Sequence, residues 1–190
     1  MNIPNFLTFS RIIAIPFFIV ALAYGYMGIA LAIFVGCGVT DGLDGFIART
    51  FHQRTKLGAF LDPLADKLLL TSTFLTLTLI PLPNTIPLWL VVTVISRDII
   101  ITVGIAVLFM LGIHVTIAPT IIGKLTTFFQ VSLIITVLFH NYINVVRPHL
   151  IRPFCWLTFS VTVISGLGYF SQGLRLLNSN SAQIERDSRL

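Results

Sequence analysis

Long apolar segments, separated by short groups of proline, glycine and polar residues, make up most of the chain. Each segment is close to the roughly 20 residues that a helix needs to cross the hydrocarbon core of a bilayer. Strands of a membrane β-barrel would instead be short and alternate between apolar and polar positions. The pattern predicts an all-α, polytopic integral membrane protein with six transmembrane helices, at about residues 6–24, 28–49, 58–80, 86–112, 117–140 and 154–173.

Prolines mark two of the connections between these segments. Three prolines between residues 81 and 87 predict one turn, and Pro148 with Pro153 predicts another, because proline interrupts a helix. No internal repeat is visible. We therefore predict a single transmembrane domain over residues 1–178, followed by a polar C-terminal tail over residues 179–190.

The composition supports a membrane protein and argues against a nucleic-acid partner. Of 190 residues, 56% are hydrophobic and only 10% are charged, whereas a soluble chain carries roughly a quarter charged residues. The 12 basic and 7 acidic residues give a net charge of +5, but the bases are scattered and form no basic patch. We interpret them as signals of topology, since cytoplasmic loops carry an excess of Lys and Arg.

The distribution of these bases predicts the orientation. Arg49, Arg54 and Lys56 fall in one predicted loop, and further arginines follow in the tail, whereas Arg147 and Arg152 on the other side oppose this bias. The balance predicts a multi-pass protein of the cell inner (cytoplasmic) membrane with both termini in the cytoplasm.

Acidic residues occur where an apolar membrane protein should have few. A charge at mid-bilayer costs a few kcal/mol or more unless it is paired, bound to a metal or hydrated, so such a cluster indicates a functional site. Five of the seven acidic residues lie in or beside the predicted helices: Asp41, Asp44, Asp62, Asp66 and Asp98.

The spacing of the first four aspartates indicates a metal site. Asp41 and Asp44 are three residues apart and share one helix face, and Asp62 and Asp66 are four apart and share another. Two facing pairs would form an oxygen cage for two divalent cations, Mg²⁺ or Mn²⁺, as phosphoryl chemistry uses. Pro63 after Asp62 predicts a helix start capped by Asp62, or a kink there.

Structural alternatives exist for these residues. Single aspartates can cap helices or pair with Arg49, Lys67 or Arg97, and acidic residues inside a bundle also mark cation transporters. Gly45 and Gly58 leave room for a bulky phosphorylated group beside the carboxylates, although glycines in this region also serve close helix packing.

The acidic residues form part of a longer motif of eight specified residues over 26 positions. It reads Asp41-x2-Asp44-Gly45-x2-Ala48-Arg49-x8-Gly58-x3-Asp62-x3-Asp66. This motif resembles the signature of the CDP-alcohol phosphatidyltransferases, and the similarity extends over roughly residues 1–130. It implies six transmembrane helices, usually in a homodimer, surrounded by membrane lipid, with the active site near the cytoplasmic interface.

The resemblance also implies a reaction and a role for each motif residue. The family transfers the phosphatidyl group of CDP-diacylglycerol to an alcohol and releases CMP. Carried over by position, Asp41, Asp44 and Asp62 hold the metals that bind the diphosphate, and Asp66 is both a metal ligand and the general base. The remaining matches surround the cytidine nucleotide: Gly45, Ala48, Arg49 and Gly58.

The first segment carries further candidates for nucleotide binding. Asn5, Thr8 and Arg11 are spaced three residues apart, so they lie along one side of a helix. We assign Asn5 and Thr8 to the nucleotide, with an interfacial first helical turn as the alternative.

Two basic residues in the later helices predict the pocket for the acceptor alcohol. Arg97 and Lys124 lie in otherwise apolar segments and each needs an anion or a carbonyl group, so we assign both to an acceptor phosphate. The alternative is a structural ion pair of either residue with Asp98.

Two acceptor alcohols are compatible with the motifs outside the aspartate cluster. The N-terminal segment and the run Gly-Lys-x-x-Thr-x-x-Gln around Lys124 resemble family members that use glycerol 3-phosphate, which is the first choice. Asp98 and Ile105 depart from that branch, which commonly has Glu and Arg there. The Ser-Arg-Asp form resembles the branch that uses phosphatidylglycerol and makes cardiolipin, which is the alternative.

Two other classes compete with this interpretation. A membrane prenyltransferase also uses aspartates and Mg²⁺, but its two motifs lie in widely separated parts of the chain. A cation transporter would give little reason for glycine, alanine and arginine at fixed intervals between the carboxylates. Metal-dependent release of CMP would distinguish all three classes.

Overall fold

Six helices account for the described part of the chain. The computed structural model describes the backbone of residues 3–50, 56–111, 121–145 and 148–187, and the side chains of residues 8–41, 64–111, 121–145 and 149–176. No strand occurs in these backbone ranges, so the all-α prediction is confirmed. The helices are α1 (Ile3–Ala23), α2 (Met27–Thr50), α3 (Lys56–Leu79), α4 (Leu88–Met110), α5 (Ile121–Tyr142) and α6 (Pro148–Asp187).

Three helices have long apolar stretches. Within the described residues, α4, α5 and the stretch His149–Leu176 of α6 are long and apolar enough to cross a membrane. The first two helices contribute shorter apolar stretches, Thr8–Ala23 and Met27–Asp41. Many large apolar side chains point outward, as expected for contact with lipid tails. The structure is that of a membrane protein, and the full count of six spans stays a prediction.

Two helix boundaries differ from those expected at prolines. The helix α3 begins at Lys56, close to the predicted start of its segment at residue 58, so Asp62 does not cap the start of the helix, and a kink at Pro63 stays a prediction. Likewise α6 begins at Pro148, where a missing N–H has no intrahelical partner to lose, and it continues through Pro153. Ile151 and Cys155 on either side of Pro153 are buried, so we infer that their packing offsets the lost hydrogen bond.

The same helix is longer than its apolar segment. Helical backbone continues to Asp187, beyond the predicted start of the polar tail at residue 179. The apolar stretch of α6 ends much earlier, at Leu176. The division between a membrane domain and a tail therefore stays a prediction that rests on polarity rather than on a break in the backbone.

The helices form a closed ring. Around it, α1 packs on α2, α2 on α5, α5 on α6, α6 on α4, α4 on α3, and α3 on α1, with a further contact between α3 and α5. Apolar side chains from all six helices form one buried cluster, which includes Phe18, Phe34, Leu77 and Leu133. In this ring, α1 contacts both of the helices that carry the motif aspartates, α2 and α3.

A buried amide cluster fixes the connection between α3 and α4. The side-chain oxygen of Asn141, near the end of α5, accepts a hydrogen bond from the backbone N–H of Asn84 at 3.0 Å. In return, the Asn141 amide donates to the Asn84 carbonyl at 2.9 Å, and the Asn84 amide donates to the Val145 carbonyl at 3.0 Å. These bonds satisfy polar groups that would be costly to bury alone.

Two neighbouring phenylalanines in α1 allow a direct test of the packing. Replacing buried Phe18 with alanine should lower the free energy of unfolding by about 3 kcal/mol, because the ring leaves a cavity in the core. Replacing Phe17, whose side chain is 64% exposed, should change it far less. Unfolding of the purified variants in detergent measures both values, and equal losses would contradict the arrangement of α1.

Candidate active site

A buried arginine joins the first three helices. Arg11 of α1 has a side chain that is only 1% exposed. Its Nη1 donates a hydrogen bond to Oδ1 of Asp66 on α3 at 2.6 Å. The same nitrogen lies 3.1 Å from Oδ1 of Asp41 on α2. One guanidinium nitrogen of α1 therefore contacts carboxylates from both α2 and α3.

The sequence of α1 explains why Arg11 faces inward. Thr8, Arg11, Ile15, Phe18 and Leu22 recur every three or four residues, and all five are buried. This spacing defines one side of a helix. Arg11 therefore lies near the polar end of an otherwise apolar stripe that packs against α2 and α3. A charged side chain in such a place requires partners of opposite charge.

Both carboxylates remain partly accessible although the arginine between them is buried. The Asp41 and Asp66 side chains are 45% and 40% exposed, respectively. Their Oδ1 atoms approach the same nitrogen, so the two groups are close enough to act on one ligand. Carboxylate oxygens are the ligands that Mg²⁺ and Mn²⁺ prefer, and the described part of the site therefore fits a divalent cation.

The other two predicted metal ligands lie on the same helices. Asp44 is in α2 and Asp62 is in α3, one helical turn from Asp41 and Asp66 respectively, but their side chains lie outside the described residues. Within the described part, no three His, Cys, Asp or Glu side chains are grouped closely enough to hold a metal ion. The four-carboxylate cage therefore stays a prediction.

The predicted nucleotide site is described only at Thr8. This residue is fully buried, and it lies one helical turn from Arg11 on the same stripe. The remaining candidates have helical backbone, but their side chains lie outside the described residues: Asn5, Gly45, Ala48, Arg49 and Gly58.

Arg97 lies at the interface between α4 and α6. Its Nη1 donates to Oδ1 of the adjacent Asp98 at 2.7 Å, and its Nη2 donates to the Ser165 hydroxyl at 3.0 Å. The guanidinium carbon also lies 5.5 Å from the centre of the Tyr169 ring, a cation–π distance. The ion pair with Asp98 that we considered as the alternative role of Arg97 is therefore present.

Lys124 is not part of that cluster. It lies in the first turn of α5, and its side chain is exposed. Among the described residues, no ion pair or hydrogen bond joins it to Arg97 or Asp98. The structure thus places the two predicted acceptor residues on different helices without a direct link.

Two cavities flank α4. A cleft of about 290 Å³ between α3 and α4 is lined by Lys67 and Asp98, and Lys67 Nζ donates to the Thr102 hydroxyl at 2.8 Å. A second cavity, of about 190 Å³, lies between α4 and α6 and is lined mainly by apolar groups. Ile105 and Gly104 line this second cavity, so the position where an arginine was expected faces an apolar space.

Sequence reasoning missed the central role of Arg11. It grouped Arg11 with Asn5 and Thr8 by helical spacing and did not connect it with the aspartates. The available signal was a single arginine in an apolar helix of a protein with several intramembrane carboxylates. That signal predicts an acidic partner for Arg11 but does not say which aspartate it is.

The amino-acid sequence of the chain matches a known protein family. The family model described as CDP-alcohol phosphatidyltransferase matches residues 1–164. The CDP-diacylglycerol–glycerol-3-phosphate 3-phosphatidyltransferase of Bacillus subtilis is 32% identical over 95% of this chain and 99% of its own length.

Two further relatives agree with this match. The enzyme of the same name from Sodalis glossinidius is 36% identical over 73% of this chain and 77% of its own length. A probable phosphatidylglycerophosphate synthase of Mycobacterium tuberculosis is 35% identical over 68% of this chain and 62% of its own length. These matches favour a phosphatidyltransferase over the prenyltransferase and transporter alternatives. The chain belongs to the CDP-alcohol phosphatidyltransferase family, as its aspartate motif predicted.

Proposed function

We propose that this protein transfers the phosphatidyl group of CDP-diacylglycerol to glycerol 3-phosphate, releasing CMP and forming phosphatidylglycerophosphate. The observation that carries the proposal is the convergence of Asp41 and Asp66 on one buried arginine nitrogen. Similarity over almost the whole chain to a relative named for this reaction supports the choice of acceptor.

The four motif aspartates would hold two divalent cations, Mg²⁺ or Mn²⁺. Helices α2 and α3 are consecutive and joined by a short connection. Asp44 follows Asp41 and Asp62 precedes Asp66, so both lie toward that connection. In the proposed cage, Asp44 and Asp62 would form one pair near the connection, and Asp41 and Asp66 would form a second pair one helical turn farther from it. When bound, the cations offset the charge of the diphosphate as the bond to CMP breaks.

Asp66 is the proposed general base. A hydroxyl of the acceptor attacks the β-phosphorus of CDP-diacylglycerol, Asp66 accepts the hydroxyl proton, and CMP leaves. Its partial exposure gives a substrate access to the carboxylate, while the hydrogen bond from Arg11 holds one of its oxygens in place. The nucleotide would contact Asn5, Thr8, Gly45, Ala48, Arg49 and Gly58.

Arg97 and Lys124 are the proposed acceptor-binding residues. The contacts of Arg97 with Asp98 and Ser165 fix the direction of the guanidinium before any substrate binds. An anionic acceptor would then compete with Asp98 for Arg97, a charge-assisted interaction that favours phosphate. Exposed Lys124 would add a second positive charge from α5.

Phosphatidylglycerol is the second candidate acceptor, with cardiolipin as the product. The observation in its favour is the apolar cavity beside Ile105, which offers space for an acyl chain of a lipid acceptor. Glycerol 3-phosphate has no acyl chain, so with that acceptor only the acyl chains of CDP-diacylglycerol or of membrane lipid would use this space.

We also propose that the protein is a multi-pass protein of the inner (cytoplasmic) membrane, with both termini in the cytoplasm, and forms a homodimer. The excess of basic residues near the α2–α3 connection supports this orientation, because it places the aspartate-bearing ends of both helices close to the cytoplasm. Water-soluble CMP would then leave directly into the cytoplasm.

Release of CMP by the purified protein tests the reaction and the acceptor together. With CDP-diacylglycerol and Mg²⁺ or Mn²⁺ in detergent, glycerol 3-phosphate should stimulate release, and removal of the metal with a chelator should stop it. Stimulation by phosphatidylglycerol alone would instead support the second candidate. No release with either acceptor would contradict both.

Replacing Asp66 with asparagine should lower kcat by about a hundredfold or more, because the base and a metal ligand are lost. Binding of CDP-diacylglycerol should persist in part. Asp98→Asn is the matched comparison, because Asp98 belongs to a different ion pair, and this variant should retain measurable turnover. Turnover of Asp66→Asn at the wild-type rate would exclude Asp66 as the base.

Replacing Arg97 with alanine should raise the KM for the acceptor by about tenfold or more, with a much smaller change for CDP-diacylglycerol. Arg152→Ala, at an exposed position of α6, is the control and should change neither value. An unchanged acceptor KM in Arg97→Ala would remove Arg97 from the acceptor site.

A further inference from the structure

The charges around Arg11 are arranged asymmetrically. The Arg11 side chain is only 1% exposed, whereas the carboxylates of Asp41 and Asp66 are each at least 40% exposed. The carboxylates therefore keep accessible surface although the arginine that contacts them is buried. A cation or substrate would reach them through that accessible surface.

The carboxylates of Asp41 and Asp66 approach the same nitrogen of Arg11, and two negative charges so close to each other need a counter-charge. Like charges a few ångströms apart repel strongly where water is partly excluded. The Nη1 atom of Arg11 approaches both Oδ1 atoms, at 2.6 and 3.1 Å, so a single positive charge offsets the repulsion between two negative ones.

We propose that Arg11 is a positioning residue that serves as the resident counter-ion of the metal site. It holds Asp41 and Asp66 together before a cation binds, and its positive charge weakens the binding of that cation. The inference rests on the proposed function in that it requires a divalent cation at these aspartates.

The sign of the effect follows from electrostatics and linkage. Arg11 and a divalent cation are both positive and both interact with the same carboxylates, so each lowers the affinity of the site for the other. Removing the charge of Arg11 should therefore destabilise the metal-free protein and tighten cation binding. A purely structural arginine would affect only the stability.

Binding of Mn²⁺ to purified protein in detergent tests the proposal without any substrate. The signal of free Mn²⁺ in electron paramagnetic resonance gives the dissociation constant, and thermal unfolding with and without Mn²⁺ gives the metal-induced rise in Tm. Arg11→Gln should bind Mn²⁺ about tenfold more tightly than the wild type. It should also have a lower metal-free Tm and a larger rise in Tm on adding Mn²⁺.

Two matched variants control for the loss of a buried arginine. Arg11→Lys keeps the positive charge and should bind Mn²⁺ with an affinity close to that of the wild type. Arg97→Gln removes another largely buried arginine, which pairs with Asp98 rather than with the motif aspartates, and should leave Mn²⁺ affinity unchanged.

A double variant keeps the test decisive if Arg11→Gln unfolds. Adding Asp41→Asn removes one of the two repelling charges, so the double variant should regain metal-free stability relative to Arg11→Gln alone. A double variant that is no more stable would overturn the proposal.

The results also separate this inference from the proposed function. Equal or weaker Mn²⁺ binding by Arg11→Gln, with binding by the wild type intact, would overturn the role of Arg11 alone. Absence of Mn²⁺ binding to the wild type would overturn both, because no cation site would exist at these aspartates.

Discussion

The contact of one buried arginine with two aspartates determines how the first half of the molecule is assembled. Arg11 cannot be left alone in an apolar environment, because an unpaired buried charge is strongly destabilising. It contacts Asp41 and Asp66, so α1, α2 and α3 have to pack in a way that keeps both carboxylates within reach of its guanidinium group. The same contact brings two proposed metal ligands close to each other. Packing and the candidate chemistry therefore depend on a single charged group.

The second half of the ring is joined by smaller polar contacts. Lipid tails are as apolar as leucine, so helices in a membrane associate through close packing and hydrogen bonds rather than through exclusion of water. Arg97 links α4 to Ser165 on α6, and Lys67 links α3 to Thr102 on α4. Cavities lie on both sides of α4, and Lys67 and Asp98 form part of the lining of the one next to α3. We expect these charged groups to suit a phosphate and the apolar cavity next to α6 to suit an acyl chain.

Membership of the family and the choice of acceptor rest on different parts of the chain. The family is identified by the aspartate motif on α2 and α3, which the match over residues 1–164 includes. The acceptor is expected to depend on α4 and α5, where Asp98 and Ile105 depart from the pattern of enzymes that use glycerol 3-phosphate. The proposed catalytic centre on α2 and α3 and the proposed acceptor pocket on α4 and α5 would allow one reaction to be kept while the acceptor changes.

The sequence by itself determined the all-α architecture and the faces of the aspartate-bearing helices. Long apolar segments can satisfy their backbone in lipid only as helices, and intervals of three or four residues place side chains on one face. The tertiary structure alone decided which partners meet. Arg11 and Asp66 are 55 residues apart, and Arg97 and Ser165 are 68 apart, so no local pattern relates them. The extension of α6 through Pro153 was also missed. Local preference disfavours proline in a helix, but in α6 the buried neighbours of Pro153 pack against other helices, and a sequence pattern does not show that packing.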